Sequence, residues 1–184
     1  MKAKKISALF PVFLLIILLS ILWWELFHHK ENELPSALIN QPLPAFSLTN
    51  LDNPQQFFTE KDLQGHVSLL NVWATWCYAC RDEQTMLIKI HDQYHVPIYS
   101  IDYKDKPELA RRWLAELGNP FVKTGQDDTG YVAIDLGVYG TPETFVVDAK
   151  GKIRYRHIGV IDQDTWDNVL WPLVKKYQDD GIMN

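Results

Sequence analysis

The sequence predicts an α/β domain with a mixed central sheet and helices on both faces, carried behind one N-terminal transmembrane helix. Three observations predict it. Apolar runs of strand length alternate with stretches of helical period, a turn-linked pair of such runs follows them, and Ile6 to Trp24 holds no charged residue. The chain has 184 residues, which suffices for one compact domain with an appendage but not for two full domains.

The first five residues carry Lys2, Lys4 and Lys5 and read as a cytoplasmic N-terminus. The run 6–24 follows; at about 1.5 Å per residue it reaches about 28 Å, close to the hydrocarbon thickness of a bilayer. Trp23 and Trp24 fall where an aromatic belt sits, and the basic flank keeps the N-terminus inside, so the rest of the chain is exported. A cleavable signal would end in a small-x-small site, whereas this exit reads Ile21-Leu22-Trp23-Trp24-Glu25. The segment therefore reads as an uncleaved signal-anchor, single-pass in the inner membrane. Residues 25–40 are polar and read as a periplasmic tether. His28 and His29 in it are a metal-binding pair only on the less common reading; such residues more often face headgroups or solvent.

The folded domain is expected over 41–184. Val67–Trp73 is near-continuously apolar, as in a strand covered on both faces. Met86, Leu87 and Ile90 lie at helical spacing, so a helix follows from Cys80 to about Gln93. Pro97–Tyr103 reads as a second strand. Pro107–Leu117 starts with proline and is followed by Gly118, a helix start and stop. Thr144–Val147 and Ile153–His157 flank Asp148-Ala149-Lys150-Gly151 and read as a hairpin. Asp162–Tyr177 is a final helix with Pro172 expected to kink or divide it. A right-handed crossover makes the first two strands parallel.

The formal net charge is −5, with no basic cluster in the exported part, which argues against nucleic acid as a partner. Heptads are absent, which favours a monomer. The chain's two cysteines are Cys77 and Cys80. At the junction from a buried strand into a helix, the first sulfur meets unpaired N–H groups and the positive end of the helix dipole, which stabilise a thiolate. Cys77 is then the nucleophile and Cys80 the resolving thiol that releases a mixed disulfide. Other readings of the pair are a structural zinc site, a structural disulfide and a copper site. Zinc prefers four Cys or His ligands; only two cysteines exist, and His66, His91, His95 and His157 are not read as a paired set. A disulfide closing so short a loop stabilises little. Copper-binding relatives tend to space their cysteines one residue further apart, although His157 offers a third ligand. No metal ligand is assigned, and the redox disulfide itself is the only cofactor expected.

Asn71-Val72-Trp73-Ala74-Thr75-Trp76-Cys77-Tyr78-Ala79-Cys80-Arg81 and Gly137-Val138-Tyr139-Gly140-Thr141-Pro142-Glu143-Thr144-Phe145 closely resemble the DsbE/CcmG family, the membrane-anchored thioredoxin-like proteins of cytochrome c maturation. Leu51–Pro54, Tyr103–Asp105, Glu116–Pro120 and Ile153–His157 extend the resemblance over nearly the whole chain. It implies a thioredoxin-like fold, a cis peptide at Thr141–Pro142 beside the redox pair, and a Thr141 backbone able to pair with substrate. It places Trp76, Tyr78 and Tyr139 at the substrate face, with Tyr78 exposed. Thioredoxin has a buried aspartate where this chain has Asn71, so proton handling passes to Glu83 or Glu143. Each also has a plain reading, Glu83 as a solvated helix-face carboxylate and Glu143 as a strand-edge residue. An acidic groove around Glu83, Glu143 and 137–145 is expected to give specificity.

The function implied is that of a periplasmic dithiol reductant. Its substrates would be disulfides of the haem-binding motif of apocytochrome c or of a partner CcmH-like thioreductase, and its electrons would come from a DsbD-type membrane reductant. A general disulfide oxidase or isomerase, and a copper- or haem-handling binding module, remain alternatives, because direction follows reduction potentials that sequence does not set.

Overall fold

The computed structural model describes the backbone of residues 3–28 and 37–182, and the side chains of 10–25 and 37–180. The chain divides into two units, Met1–Leu34 and Pro35–Asn184. The first contains helix α1 (Ala3–His28), with Pro11 inside it. Among the described residues no helix is long and apolar enough to cross a membrane. The run Ile6–Trp24, on which the anchor expectation rests, begins outside the described side chains. Half of the expected tether, residues 29–36 with His29 among them, lies outside the described residues.

The second unit is built on a seven-stranded sheet in the order β2-β1-β5-β4-β3-β6-β7. Its strands are β1 (Ser47–Asn50), β2 (Phe57–Thr59), β3 (Ser68–Trp73), β4 (Ile98–Tyr103), β5 (Phe121–Asp127), β6 (Glu143–Val147) and β7 (Ile153–Ile158). β3 pairs parallel with β4, and β4 with β5, whereas β6 and β7 form the expected antiparallel hairpin beside β3. The sheet is mixed, as the sequence predicts. All six residues of β3 are buried, which explains its near-continuous apolar pattern.

Successive side chains leave a strand on opposite faces. Leu69 and Trp73 therefore join one apolar layer with Leu87, Ile90, Trp113 and Trp166. Leu70 and Val72 join the other with Phe58, Ile101 and Phe145. Helix α2 (Tyr78–Lys89) follows β3 directly and continues as a π-helical turn, Ile90–Tyr94. Helix α3 (Pro107–Leu117) has proline in its first turn and ends at Gly118, whose φ of 93° suits a residue without a Cβ.

Five elements are additional to the sequence reading: β1, β2, the 3-10 turn Glu60–Leu63, β5 and the short helix α4 (Tyr131–Asp135). The final helix is divided, as expected, in the turn that precedes Pro172. Helix α5 (Gln163–Thr165), capped by Asp162, runs into a π-helical turn at Trp166–Leu170 and then into helix α6 (Trp171–Ile182). Pro172 follows that π-helical turn and brings no N–H to the helical ladder. The irregularity lies one turn earlier, where the chain turns three aromatic rings, Tyr94, Trp166 and Trp171, onto one another.

Candidate active site

The site lies where β3 ends and α2 begins. Cys77 closes the turn through a hydrogen bond from its N–H to the Ala74 carbonyl, 3.2 Å. It is the N-cap of α2, and its Sγ accepts from the Cys80 N–H at 3.0 Å. The sulfur thus occupies the position at which a helix start presents unpaired donors, which favours charge on Cys77 once the bond is reduced. Cys77 and Cys80 are joined as a disulfide, with Cα atoms 5.3 Å apart. Cys77 is 6% exposed and Cys80 1%, so an incoming group meets Cys77 first.

Aromatic side chains stand around the pair. Trp76, Tyr78 and Tyr139 are 59%, 80% and 72% exposed. Trp76 is held by its indole N–H on the Lys104 carbonyl at 3.4 Å and by tilted packing on Tyr103. The preceding residue, Thr75, donates its N–H to Asp105.

On the opposite wall the Thr141–Pro142 peptide is cis, as expected, and Thr141 is half-buried. The Pro142 carbonyl accepts from the Gly159 N–H at 2.9 Å. Glu143 enters β6 next. Its Oε1 accepts from the N–H groups of Tyr139 and Gly140 at 3.1 and 3.3 Å, and its Oε2 from Arg156 Nε at 2.6 Å. The Arg156 guanidinium also lies 4.9 Å from the centre of the Tyr139 ring. Glu143 therefore ties the Tyr139–Pro142 loop to β7.

Glu83 lies one turn after Cys80 on the buried face of α2, near it by the i, i+3 rule. Its Oε1 accepts from Asn71 Nδ2 at 2.9 Å, and its Oε2 from the Ile161 N–H at 3.2 Å. The same Asn71 amide reaches Thr144 Oγ1 at 2.9 Å, which joins the two walls beneath the redox pair. Burial pushes the Glu83 carboxyl up to about 7, against the pull of the Asn71 amide and the Ile161 N–H. A carboxyl poised there both takes and gives a proton near neutrality.

The expected acidic groove is corrected. Glu83 is 1% exposed and Glu143 0%, so neither forms an open negative surface. Neither plain reading holds: Glu83 is not solvated, and Glu143 faces a guanidinium rather than solvent. Arg156 escaped the sequence reading as a site residue. Its partner lies 13 residues away in sequence and is fixed only by hairpin register, in which Arg156 stands opposite Phe145. His157 Nε2 lies 3.2 Å from the Val160 carbonyl oxygen.

Comparison with known proteins matches this arrangement. Residues 39–156 fit the AhpC/TSA family. The thiol:disulfide interchange protein DsbE of Pseudomonas aeruginosa is 46% identical over 149 residues, covering 81% of this chain and 82% of that protein. DsbE of Escherichia coli K12 is 42% identical over 179 residues, covering 95% and 96%. Among solved structures, a secreted thiol-disulfide isomerase from Corynebacterium glutamicum has a TM-score of 0.66 at 22% identity, covering 80% of this chain and 96% of that one. The thioredoxin domain of a thiol-disulfide oxidoreductase from Bacteroides vulgatus has 0.63 at 21%, covering 74% and 97%. These structures establish the thioredoxin-like fold. With a redox disulfide at a helix start and curated relatives over most of its length, the chain is a thiol:disulfide oxidoreductase and belongs to the DsbE family of thiol:disulfide interchange proteins.

Proposed function

We propose that this protein is a dithiol reductant of cytochrome c maturation, anchored in the inner membrane by Ile6–Trp24 with its catalytic unit in the periplasm. The observation that carries the redox chemistry is Cys77 at the N-cap of α2 with Cys80 buried behind it. The direction and the substrates are carried by the resemblance in 137–145 and by the similarity to DsbE proteins, which includes the N-terminal segment in the Escherichia coli relative. The uncharged run Ile6–Trp24 behind Lys2, Lys4 and Lys5 carries the anchor.

In this reading the Cys77 thiolate attacks a substrate disulfide, either on the haem-binding motif of apocytochrome c or on a CcmH-like thioreductase. One substrate sulfur bonds to Cys77 and the other leaves as a thiolate that takes up a proton. Cys80 then gives its proton to Glu83 and attacks the Cys77 sulfur; the Cys77–substrate bond breaks as the Cys77–Cys80 bond forms, and the second substrate sulfur leaves as a thiolate that takes up a proton. A DsbD-type membrane reductant restores the dithiol by the reverse exchange. Trp76, Tyr78 and Tyr139 seat the partner, and the Thr141 backbone pairs with its chain. No metal takes part, and the protein acts as a monomer.

The test is a Cys80→Ala variant of the full chain in its native membrane, which holds the mixed disulfide at Cys77. Capture of an apocytochrome, a thioreductase and a transmembrane reductant is the expected outcome. Capture of an oxidising partner, or a strongly oxidising potential against glutathione, would replace the reading with that of an oxidase. Release of the full chain by alkaline carbonate washing would sink the anchor.

A further inference from the structure

Asp102 is a buried ionisable group that this chemistry leaves unused. It stands near the end of β4, where the ladder register places it between Trp73 of β3 and Gln126 of β5. Register partners project to the same face of a sheet, so these three residues form a row. The adjacent row, Asn71, Ser100 and Thr124, shows the same geometry through the 2.8 Å contact between the Ser100 and Thr124 hydroxyls, and it carries the Asn71 amide that holds Glu83. Asp102 is 1% exposed, and neither of its oxygens has a hydrogen-bond partner among the described residues. Unmet donors lie in its own row, at Trp73 Nε1 and Gln126 Nε2. Buried polar atoms left unpaired are rare and destabilising, so three residues of them in one row call for an explanation. Trp73 in turn packs in the apolar layer that contains Cys77 and Cys80.

The surrounding charges are accounted for. Burial, then the charges of Asp105 and Asp128, push the Asp102 carboxyl up to about 8. Asp105 accepts the Thr75 N–H in the active-site loop, while Asp127 is satisfied by the N–H groups of Gly130 and Ala133. Lys104 lies over the Tyr103 ring, Arg111 donates to the Leu51 carbonyl, and Lys106 and Glu108 are exposed at the start of α3.

We propose that Asp102 is a second proton-holding group of the redox site, a positioning residue whose ionisation is linked through the Trp73 row to the redox state of Cys77 and Cys80. A partner dithiol supplies two electrons and two protons as it becomes a disulfide, and the Cys77–Cys80 bond breaks. One proton remains on Cys80. With Cys77 left as a thiolate, the second proton goes to water at low pH and to Asp102 where that group was ionised in the oxidised protein. A new negative sulfur makes the Asp102 carboxylate less favourable, so the acid binds its proton more tightly in the reduced protein. By reciprocity the reduction equilibrium shifts with the state of Asp102.

The experiment is the equilibrium of the full chain, in detergent micelles, with glutathione from acid to alkaline pH. Wild type, Asp102→Asn and Glu83→Gln are compared. Asp102→Asn is expected to remove the inflection near pH 8 and to keep the one near pH 7. The equilibrium constant should change about three-fold at alkaline pH, the equivalent of half a pH unit. A profile for Asp102→Asn that superimposes on wild type would overturn the proposal. Should that variant not fold, carbon-13 titration of the Asp102 carboxyl in oxidised and reduced wild type reads the same linkage. A higher pKa in the reduced protein supports it, and identical titrations end it.

Discussion

Glu83 and Glu143 stand on opposite walls of one redox site, both cut off from solvent, and they do different work. Glu143 meets a guanidinium and two backbone N–H groups. Glu83 meets a neutral amide and one backbone N–H, with no cation among its described partners. A buried carboxyl with a full set of charge-matching donors organises the chain around it. One with neutral donors alone is left near the balance point between its two forms. In the proposed reaction the cis-proline wall positions the partner and the α2 wall takes the proton.

The largest effect that would break this contrast is expected from Arg156→Ala. It leaves Glu143 charged and 0% exposed without its cation, which costs about 3–5 kcal/mol for a buried pair. Denaturant unfolding at neutral pH reads it, and Arg156→Lys should recover part of the loss. A change below about 1 kcal/mol would mean that the Glu143 wall is held by its backbone contacts alone.

Asn71→Asp comes next and tests the other wall. It sets a second carboxyl against Glu83, at the place where thioredoxin carries its buried aspartate. Two adjacent carboxyls cannot both ionise at low cost, so the native protein holds a proton that the unfolded chain releases. Stability relative to wild type should fall by on the order of 2–4 kcal/mol as pH rises from 5 to 8, and recover on acidification. An equal penalty at both pH values would indicate a packing fault rather than charge.

Glu83→Gln sharpens the same point in the opposite direction. The folded carboxyl titrates at about 7 against an ordinary 4.5. Between those values the native state keeps a proton that the unfolded state has lost, so this group makes wild type less stable as pH rises through the window. The full shift corresponds to at most about 3 kcal/mol. The variant should lose that slope, because its replacement amide is neutral throughout. Thermal unfolding across the window checks it, and an unchanged slope would locate the titration in another group.

The parts of the fold that could be read in advance are those whose local signals agree. β3 is apolar because both its faces are covered, and α3 carries its own proline and glycine punctuation. β5 was illegible for a physical reason. Its pattern Phe-Val-Lys-Thr-Gly-Gln-Asp contains a glycine and four polar residues, and it is a strand because β4 and β1 flank it. Gly125 is required there by contact, since a Cβ would lie 2.7 Å from the Phe58 ring and 2.8 Å from Leu48. β1 and β2, with four and three residues, are too short to carry a period. In the site, Cys77, Cys80 and Pro142 were legible because their chemistry is written in adjacent residues. The Glu143–Arg156 pair and the Asp102 row depend on strand register, which no local window contains.

The smallest effect on stability, and the finest test of the two walls, is expected from Tyr78→Ala and Tyr139→Ala compared. Tyr78 projects from the first turn of α2 with 80% of its surface exposed, so removing its ring should change stability by no more than about 0.5 kcal/mol. Tyr139 is also exposed, but its ring lies against Arg156, and its loss should cost about 0.5–1 kcal/mol more. Neither ring touches the electron-transfer step, so exchange with a small dithiol should be unchanged in both variants. Exchange with a protein partner should slow several-fold in both, because exposed aromatics beside a reactive group contribute through the area they cover. A pre-positioned ring loses less freedom on binding than a free one. The Tyr139 variant should therefore show the greater rise in KM, with kcat little altered. Equal losses in the two variants would show that holding one ring on Arg156 confers no advantage in recognition.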